Sequence, residues 1–179
     1  MCCEVLQTKS IFAGRVFYVH QDRVLLPNGH VIELDIVDHR DAVTIIPLDQ
    51  DGQVWFIRQY RHAAGVELLE LPAGVTEEGE APEVGALREL REEIGMAAGE
   101  MIKLGGFYLA PGYSTEYMHV YLATGLYASP LPGDETEFLS VEKIAIEKAF
   151  ELAETGQLED SKSLVGLFWV RAYLTRLEK

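Results

Sequence analysis

Between Gly74 and Met96 the chain places seven glutamates in 23 residues: Glu77, Glu78, Glu80, Glu83, Glu89, Glu92 and Glu93. Within this stretch Val84, Leu87, Leu90 and Ile94 recur at helical spacing, Pro82 suits a first helical turn, and Gly95 suits a stop. On such a helix Glu92 lies about 60° to one side of Glu89 and Glu93 about 40° to the other. Three carboxylates therefore crowd one face, while Val84, Leu87 and Ile94 occupy the opposite one. Like charges at these spacings destabilise a helix by roughly 0.2–0.5 kcal/mol per pair. A hard, oxygen-seeking cation such as Mg²⁺ or Mn²⁺ would turn that repulsion into coordination. The helix alone is equally compatible with a solvated acidic face partly paired with Arg88 and Arg91.

The elements around this helix are mostly strands. A hairpin is predicted over residues 15–40, with Pro27-Asn28-Gly29 at its tip; Asn-Gly suits a type I′ turn, in which both positions take positive φ. Further strands are expected at Ala42–Leu48, Val54–Tyr60, Val66–Leu71, Leu104–Leu109, Met118–Ala123 and Phe138–Val141. Helices are expected at about 145–155 and 161–177, the second capped by Asp160 or Ser161. Many antiparallel strands with a few inserted helices make an α+β fold. The chain divides into an N-terminal hairpin region, 1–40, and a main domain, 41–179.

Composition narrows the partners. The 179 residues carry 29 Asp plus Glu against 15 Lys plus Arg, a net charge of −14. Such a chain repels phosphate backbones, which argues against a nucleic-acid or anionic-membrane binder. A phosphate-bearing ligand would need a divalent cation as bridge. The apolar run Leu164–Val170 is far short of the ~18 residues of a membrane span. The two cysteines, Cys2 and Cys3, are adjacent and build no disulfide framework, which is compatible with a reducing cytoplasm. The five histidines show no metal-ligand spacing.

Gly74, five residues, Glu80, seven residues, Arg88-Glu89-Leu90, one residue, Glu92-Glu93, one residue and Gly95-Met96 together match the Nudix box at every defined position. The chain therefore resembles the Nudix hydrolases. The resemblance implies an α/β/α sandwich with a mixed sheet that binds divalent metal and hydrolyses a nucleoside diphosphate linked to another moiety. By the family's pattern Glu89, Glu92 and Glu93 are the metal-side carboxylates, and Arg88 holds the loop and the acidic cluster in place. Such chemistry is metal-assisted attack of water on phosphorus, with a carboxylate accepting the proton.

Outside the box, Phe56-Ile57-Arg58-Gln59-Tyr60-Arg61, Glu70-Leu71-Pro72-Ala73-Gly74, and Ala110-Pro111-Gly112 with Glu116 look like the ADP-ribose pyrophosphatase branch. Pro111 stands fifteen residues past Met96, as in that branch. The resemblance covers about residues 10–177. It implies that Ala73 offers its carbonyl to metal, that Arg61, and less firmly Arg58, reaches the pyrophosphate, and that Glu116 and Pro111 line the substrate pocket. The acidic run Asp134-Glu135-Thr136-Glu137 offers two registers for a glutamate over the metal; Glu137 is placed near metal and Glu135 as base. Phe17 or Tyr18 stacks a base or packs in the core. The implied activity is metal-dependent cleavage of a nucleotide sugar, foremost ADP-ribose to AMP and ribose 5-phosphate, with GDP-mannose as the alternative sugar nucleotide and a non-hydrolytic nucleotide sensor as the alternative class. Members of this branch are commonly homodimers whose N-terminal strands help to form the partner's pocket.

Overall fold

The computed structural model describes residues 3–133 and 138–177. Two compact units are present: Met1–Asp41 with Phe107–Tyr117, and Ala42–Gly106 with Met118–Lys179.

The first unit is a three-stranded antiparallel sheet, β1 (Glu4–Ala13), β2 (Phe17–Leu25) and β3 (Val31–His39), in the order β1-β2-β3. The hairpin of β2 and β3 forms as expected, but its turn differs. Only Gly29 takes positive φ, at 84°, and Asn28 does not. The Gly29 amide donates to the Leu26 carbonyl at 2.9 Å, and the Leu26 amide to the His30 carbonyl at 2.8 Å. Proline at position 27 fixes the first corner with negative φ, so a single left-handed glycine completes the reversal in place of a type I′ pair. Strand β1 has no counterpart in the sequence reading. Its pairing with β2 shifts register between Val5 and Gln7 and again between Ser10 and Phe12. Each shift breaks the alternation by which a strand is recognised. The segment Phe107–Tyr117 belongs to this unit through backbone bonds from the Val37 amide to the Tyr113 carbonyl and from the Thr115 amide to the Val37 carbonyl.

The second unit contains two further sheets, β10-β5-β6 and β7-β4-β9-β8. Their strands are β4 (Ala42–Pro47), β5 (Gln53–Arg61), β6 (Val66–Glu70), β7 (Ala73–Val75), β8 (Met96–Tyr108), β9 (Tyr117–Ala128) and β10 (Leu139–Ala145). The helices are α1 (Pro82–Glu93), α2 (Ile146–Glu154) and α3 (Ser161–Leu177). Strands β4 and β9 run parallel while β7 is antiparallel to β4, so the sheet is mixed. Every residue of β4 is buried. Both its faces are covered, which is why it reads as a continuous apolar run rather than an alternating one. Val43 and Ile45 pack with Ala86, Leu90 and Ile94 of the α1 side. Ile46 faces α3, where Gly166 comes so close that an added Cβ would lie 3.4 Å from its Cδ1 and 2.8 Å from that of Leu71. Helix, sheet and helix thus form three layers, an α/β/α sandwich. Among the described residues no helix is long and apolar enough to cross a membrane.

Candidate active site

Helix α1 is rotated relative to its apolar pattern. Its buried residues are Gly85, Ala86, Glu89 and Leu90, while Val84 is 56% exposed. The helix therefore turns the edge of its acidic face towards the sheet. A buried carboxylate costs several kcal/mol unless it is paired and hydrogen-bonded, and the surroundings of Glu89 supply what is needed.

The principal partner is Arg88. Its Nε and Nη2 donate to Glu80 Oε1 and Oε2, both at 3.0 Å, and Nη2 also reaches the Val75 carbonyl at 3.2 Å. Nη1 donates to Glu89 Oε1 at 2.7 Å and to Glu92 Oε2 at 2.9 Å. One guanidinium thus joins the end of β7, the loop before α1 and two turns of the helix. The three carboxylates hold the Arg88 pKa far above its usual value, hydrogen bonding to Glu80 being the largest cause and burial opposing it. In return the Arg88 hydrogen bond holds Glu80 below the usual carboxylate range. Glu80 Oε2 also accepts from the Glu77 amide at 2.9 Å, closing the turn that leads into Pro82.

Backbone geometry brings the remaining acid in. Strand β7 pairs with β4, Ala73 opposite Thr44 and Gly74 opposite Val43. The Pro72 carbonyl accepts from the Ile45 amide at 2.9 Å and from Thr44 Oγ1 at 3.2 Å. Glu93 Oε2 accepts from the Ala73 amide at 2.9 Å. The Glu89 carboxylate lies over Gly74 so closely that a Cβ there would sit 2.0 Å from Oε1. Glycine is required at position 74 for space, not for unusual backbone angles.

One arginine bridges Glu80, Glu89 and Glu92, and Glu93 accepts from the Ala73 amide. Among the described residues no three His, Cys, Asp or Glu side chains gather as a ready cation cage; Glu80, Glu89 and Glu92 converge on Arg88. The donors nevertheless suit a hard divalent cation: they are carboxylate and carbonyl oxygens, cradled by a glycine.

The other sequence-predicted residues are placed as follows. Arg61, at the end of β5, donates from Nε and Nη2 to the two oxygens of Glu70, each at 2.6 Å. Its pKa is raised chiefly by that pair, and Glu93 contributes through its charge. Arg58 lies three residues earlier on the same strand, hence on the other face. It donates to Glu142 at 2.6 Å and lines a cavity of about 590 Å³ with Glu67, Lys143 and Lys148, to which no residue of the box contributes. Arg58 and Arg61 are not brought together. Glu116 and Pro111 lie in the Phe107–Tyr117 segment of the first unit, Pro111 exposed and Glu116 half-buried. Phe17 and Tyr18 are exposed on β2, with Phe17 6.1 Å from the Phe12 ring. Glu135 and Glu137 lie outside the described residues. Sequence reasoning did not single out Glu70 or Lys162; a buried lysine two residues after a helix cap carries no signature in one sequence.

Comparisons with known proteins bear on the family and the fold. The NUDIX domain model matches residues 38–165. An ADP-ribose pyrophosphatase from Bacillus subtilis (strain 168) is 34% identical over 170 residues, covering 94% of this chain and 92% of that protein. A methanol dehydrogenase activator from Bacillus methanolicus is similar to the same extent and over the same shares. A crystal structure of an ADP compounds hydrolase superposes with a TM-score of 0.90 at 27% identity, covering 99% of this chain and 96% of that one.

Proposed function

The chain belongs to the NUDIX family of hydrolases, and from that premise we propose that it cleaves the pyrophosphate bond of a nucleoside diphosphate sugar, foremost ADP-ribose, to give AMP and ribose 5-phosphate. The observation that carries this reading is the assembly of Glu80, Glu89 and Glu92 on Arg88, beside a backbone strand whose Ala73 amide is held by Glu93. Similarity to an ADP-ribose pyrophosphatase over 94% of the chain supports the substrate.

Glu89, Glu92, Glu93 and the Ala73 carbonyl would hold Mg²⁺ or Mn²⁺. Such a cation, when bound, neutralises pyrophosphate charge and lowers the pKa of a bound water. The chain's own groups supply the rest. Arg88 keeps the carboxylates in place without taking part in the chemistry. Arg61 meets the pyrophosphate, and Glu116, Pro111 and Phe17 contribute to the sugar and base sites. Water attacks one phosphorus in line with the departing phosphate oxygen. The bond from that oxygen to phosphorus breaks, and Glu137 or Glu135 accepts the proton of the water. The acting species is a homodimer in the cytoplasm, its exposed N-terminal sheet meeting a second copy.

The deciding assay incubates the protein with Mg²⁺ and a panel comprising ADP-ribose, GDP-mannose and other nucleotide sugars, with products identified by chromatography. AMP and ribose 5-phosphate from ADP-ribose, at the highest kcat/KM of the panel, is the expected result. Preference for GDP-mannose would overturn the substrate, and no hydrolysis of any member would overturn the reaction.

A further inference from the structure

The N-terminus of α3 carries a charge cluster that the box does not include. Lys162, the second residue of α3, is 6% exposed, and its ammonium is paired with Glu70 Oε2 and with Asp160 Oδ1. This is a poor place for a cation. Burial strips its water, and the positive end of the helix dipole repels it. Asp160 lies just before the helix and caps it, accepting from the Ser163 amide at 3.0 Å and from Ser163 Oγ at 2.5 Å. Ser163 Oγ in turn accepts from the Leu71 amide at 2.7 Å. The cap of α3 is thereby fastened to Glu70 and Leu71 at the end of β6.

Glu70 is 1% exposed and already has a two-point partner in Arg61. A second cation is not needed to neutralise it. Its consequence is geometric: with Lys162 on Oε2, the carboxylate cannot rotate, and the plane of the Arg61 guanidinium is set. Burial alone would raise the Glu70 pKa, but hydrogen bonds from Arg61 and the Lys162 charge hold it below the usual carboxylate range. Two of the three Arg61 nitrogens are committed to Glu70, which leaves Nη1 to meet an anion. The guanidinium is close enough to Glu93 to feel its charge, and Ala73, whose amide holds Glu93, follows two residues after Leu71.

We propose that Lys162 is a positioning residue for pyrophosphate binding: through the shared Glu70 carboxylate, and backed by the Asp160–Ser163 cap, it fixes the guanidinium of Arg61 in the orientation that clamps the substrate's diphosphate. This rests on the reading of Arg61 as the diphosphate contact.

The test is a double-mutant cycle with ADP-ribose and Mg²⁺, comparing wild type, Lys162→Met, Arg61→Ala and the double variant, with Lys162→Arg as the conservative replacement. Lys162→Met should raise KM about tenfold while kcat changes less than about threefold, the signature of lost ground-state binding. Lys162→Arg should recover most of that loss. In the Arg61→Ala background Lys162→Met should add almost nothing, because both act on one contact. A KM effect of equal size in both backgrounds, or a lowered Tm with unchanged KM, would overturn the proposal while leaving Arg61 in its role. An Arg61→Ala protein with wild-type KM would instead remove the premise. If Lys162→Met does not fold, Lys162→Gln, which keeps a weaker donor for Glu70 without the charge, goes through the same cycle; its KM should rise by less than about tenfold and by almost nothing in the Arg61→Ala background, and an equal rise in both backgrounds would overturn the proposal.

Discussion

Replacing Gly74 by alanine separates the catalytic demand on Glu89 from its structural one. The new Cβ would lie 2.0 Å from Glu89 Oε1, 2.1 Å from Cδ and 2.5 Å from Oε2. Gly74 cannot yield, because it is paired in register with Val43 of the buried strand β4. The carboxylate must therefore retreat, from 2.0 Å to the 3.4 Å of ordinary contact, about 1.4 Å. That movement breaks the 2.7 Å hydrogen bond from Arg88. The side-chain end is flexible, and losing that charge-assisted hydrogen bond costs folding about 1.5–3 kcal/mol. For a chain of this size that is a Tm lower by roughly 3–12 °C. The cost to turnover is larger, because displacing a positioning group by about 1 Å costs on the order of 100-fold. The measurements are kcat with ADP-ribose at saturating Mg²⁺ and Tm by circular dichroism. Gly105→Ala is the matched control. Its Cβ would meet the Trp169 ring at 2.7 Å, a rigid neighbour in the packing and not in the box. It should lose about 1–3 kcal/mol of stability yet keep its kcat at temperatures where it is folded. Wild-type turnover in Gly74→Ala would refute the assignment of Glu89 to the reaction.

Three further outcomes are expected. Glu93→Gln removes one charge at nearly constant volume and should lower kcat by at least ~100-fold with little change in Tm; unchanged kcat at ordinary Mg²⁺ concentrations would contradict its role as ligand. Glu70 and Glu80 are held below their ordinary pKa of 4.5, so the unfolded chain takes up their protons first as the pH falls; the stability they contribute is complete above about pH 5 and is lost as the pH falls through the depressed folded values. Urea midpoints measured down to about pH 3 should fall less steeply for Glu80→Gln than for wild type, and parallel slopes would count against the pairing with Arg88. Light scattering should give twice the 20.0 kDa chain mass, and removal of residues 1–40 should give a monomer with weakened substrate affinity; a fully active full-length monomer would exclude a site shared between copies.

The box was legible because its chemistry imposes spacing. Gly74, Glu80, Arg88, Glu89, Glu92 and Glu93 stand where one loop and one helix must bring them, and the observed helix, Pro82–Glu93, begins at the expected proline and is followed by Gly95 at φ 70°. The rotation of that helix was not legible. Hydrophobic periodicity grouped Val84, Leu87, Leu90 and Ile94; Leu90 and Ile94 are buried with Ala86, but Val84 is exposed and Glu89 is inside, where Arg88 and the glycine at 74 accommodate it. One arginine thus brings an acidic residue to the edge of a face that the apolar pattern alone would fill. Likewise Asp160 rather than Ser161 caps α3, a choice set by Leu71 and Glu70, which lie some ninety residues earlier. Strand β1 was missed because its two register shifts erase the alternation, and Pro27 overrode the usual preference of Asn-Gly for two left-handed residues.

The same logic explains why Arg58 and Arg61, alike in one motif, end in different places. Three residues along a strand reverse the face. On one face the partner is Glu142 on β10, with both side chains about 40% exposed, where an ion pair contributes little. On the other it is Glu70, buried at the junction with α3. An arginine held by a buried, doubly paired carboxylate keeps its orientation when a ligand arrives, and less conformational entropy is lost on binding. On the proposed reading a chain with net charge −14 receives a diphosphate, and the orientation of such cations then matters more than their number. On that reading the acidic box would hold the divalent metal, while Arg88 and Arg61 are each already paired with glutamates. The electrostatic cost of assembling these charges is therefore met during folding, by hydrogen bonds internal to the domain, and does not recur at each turnover.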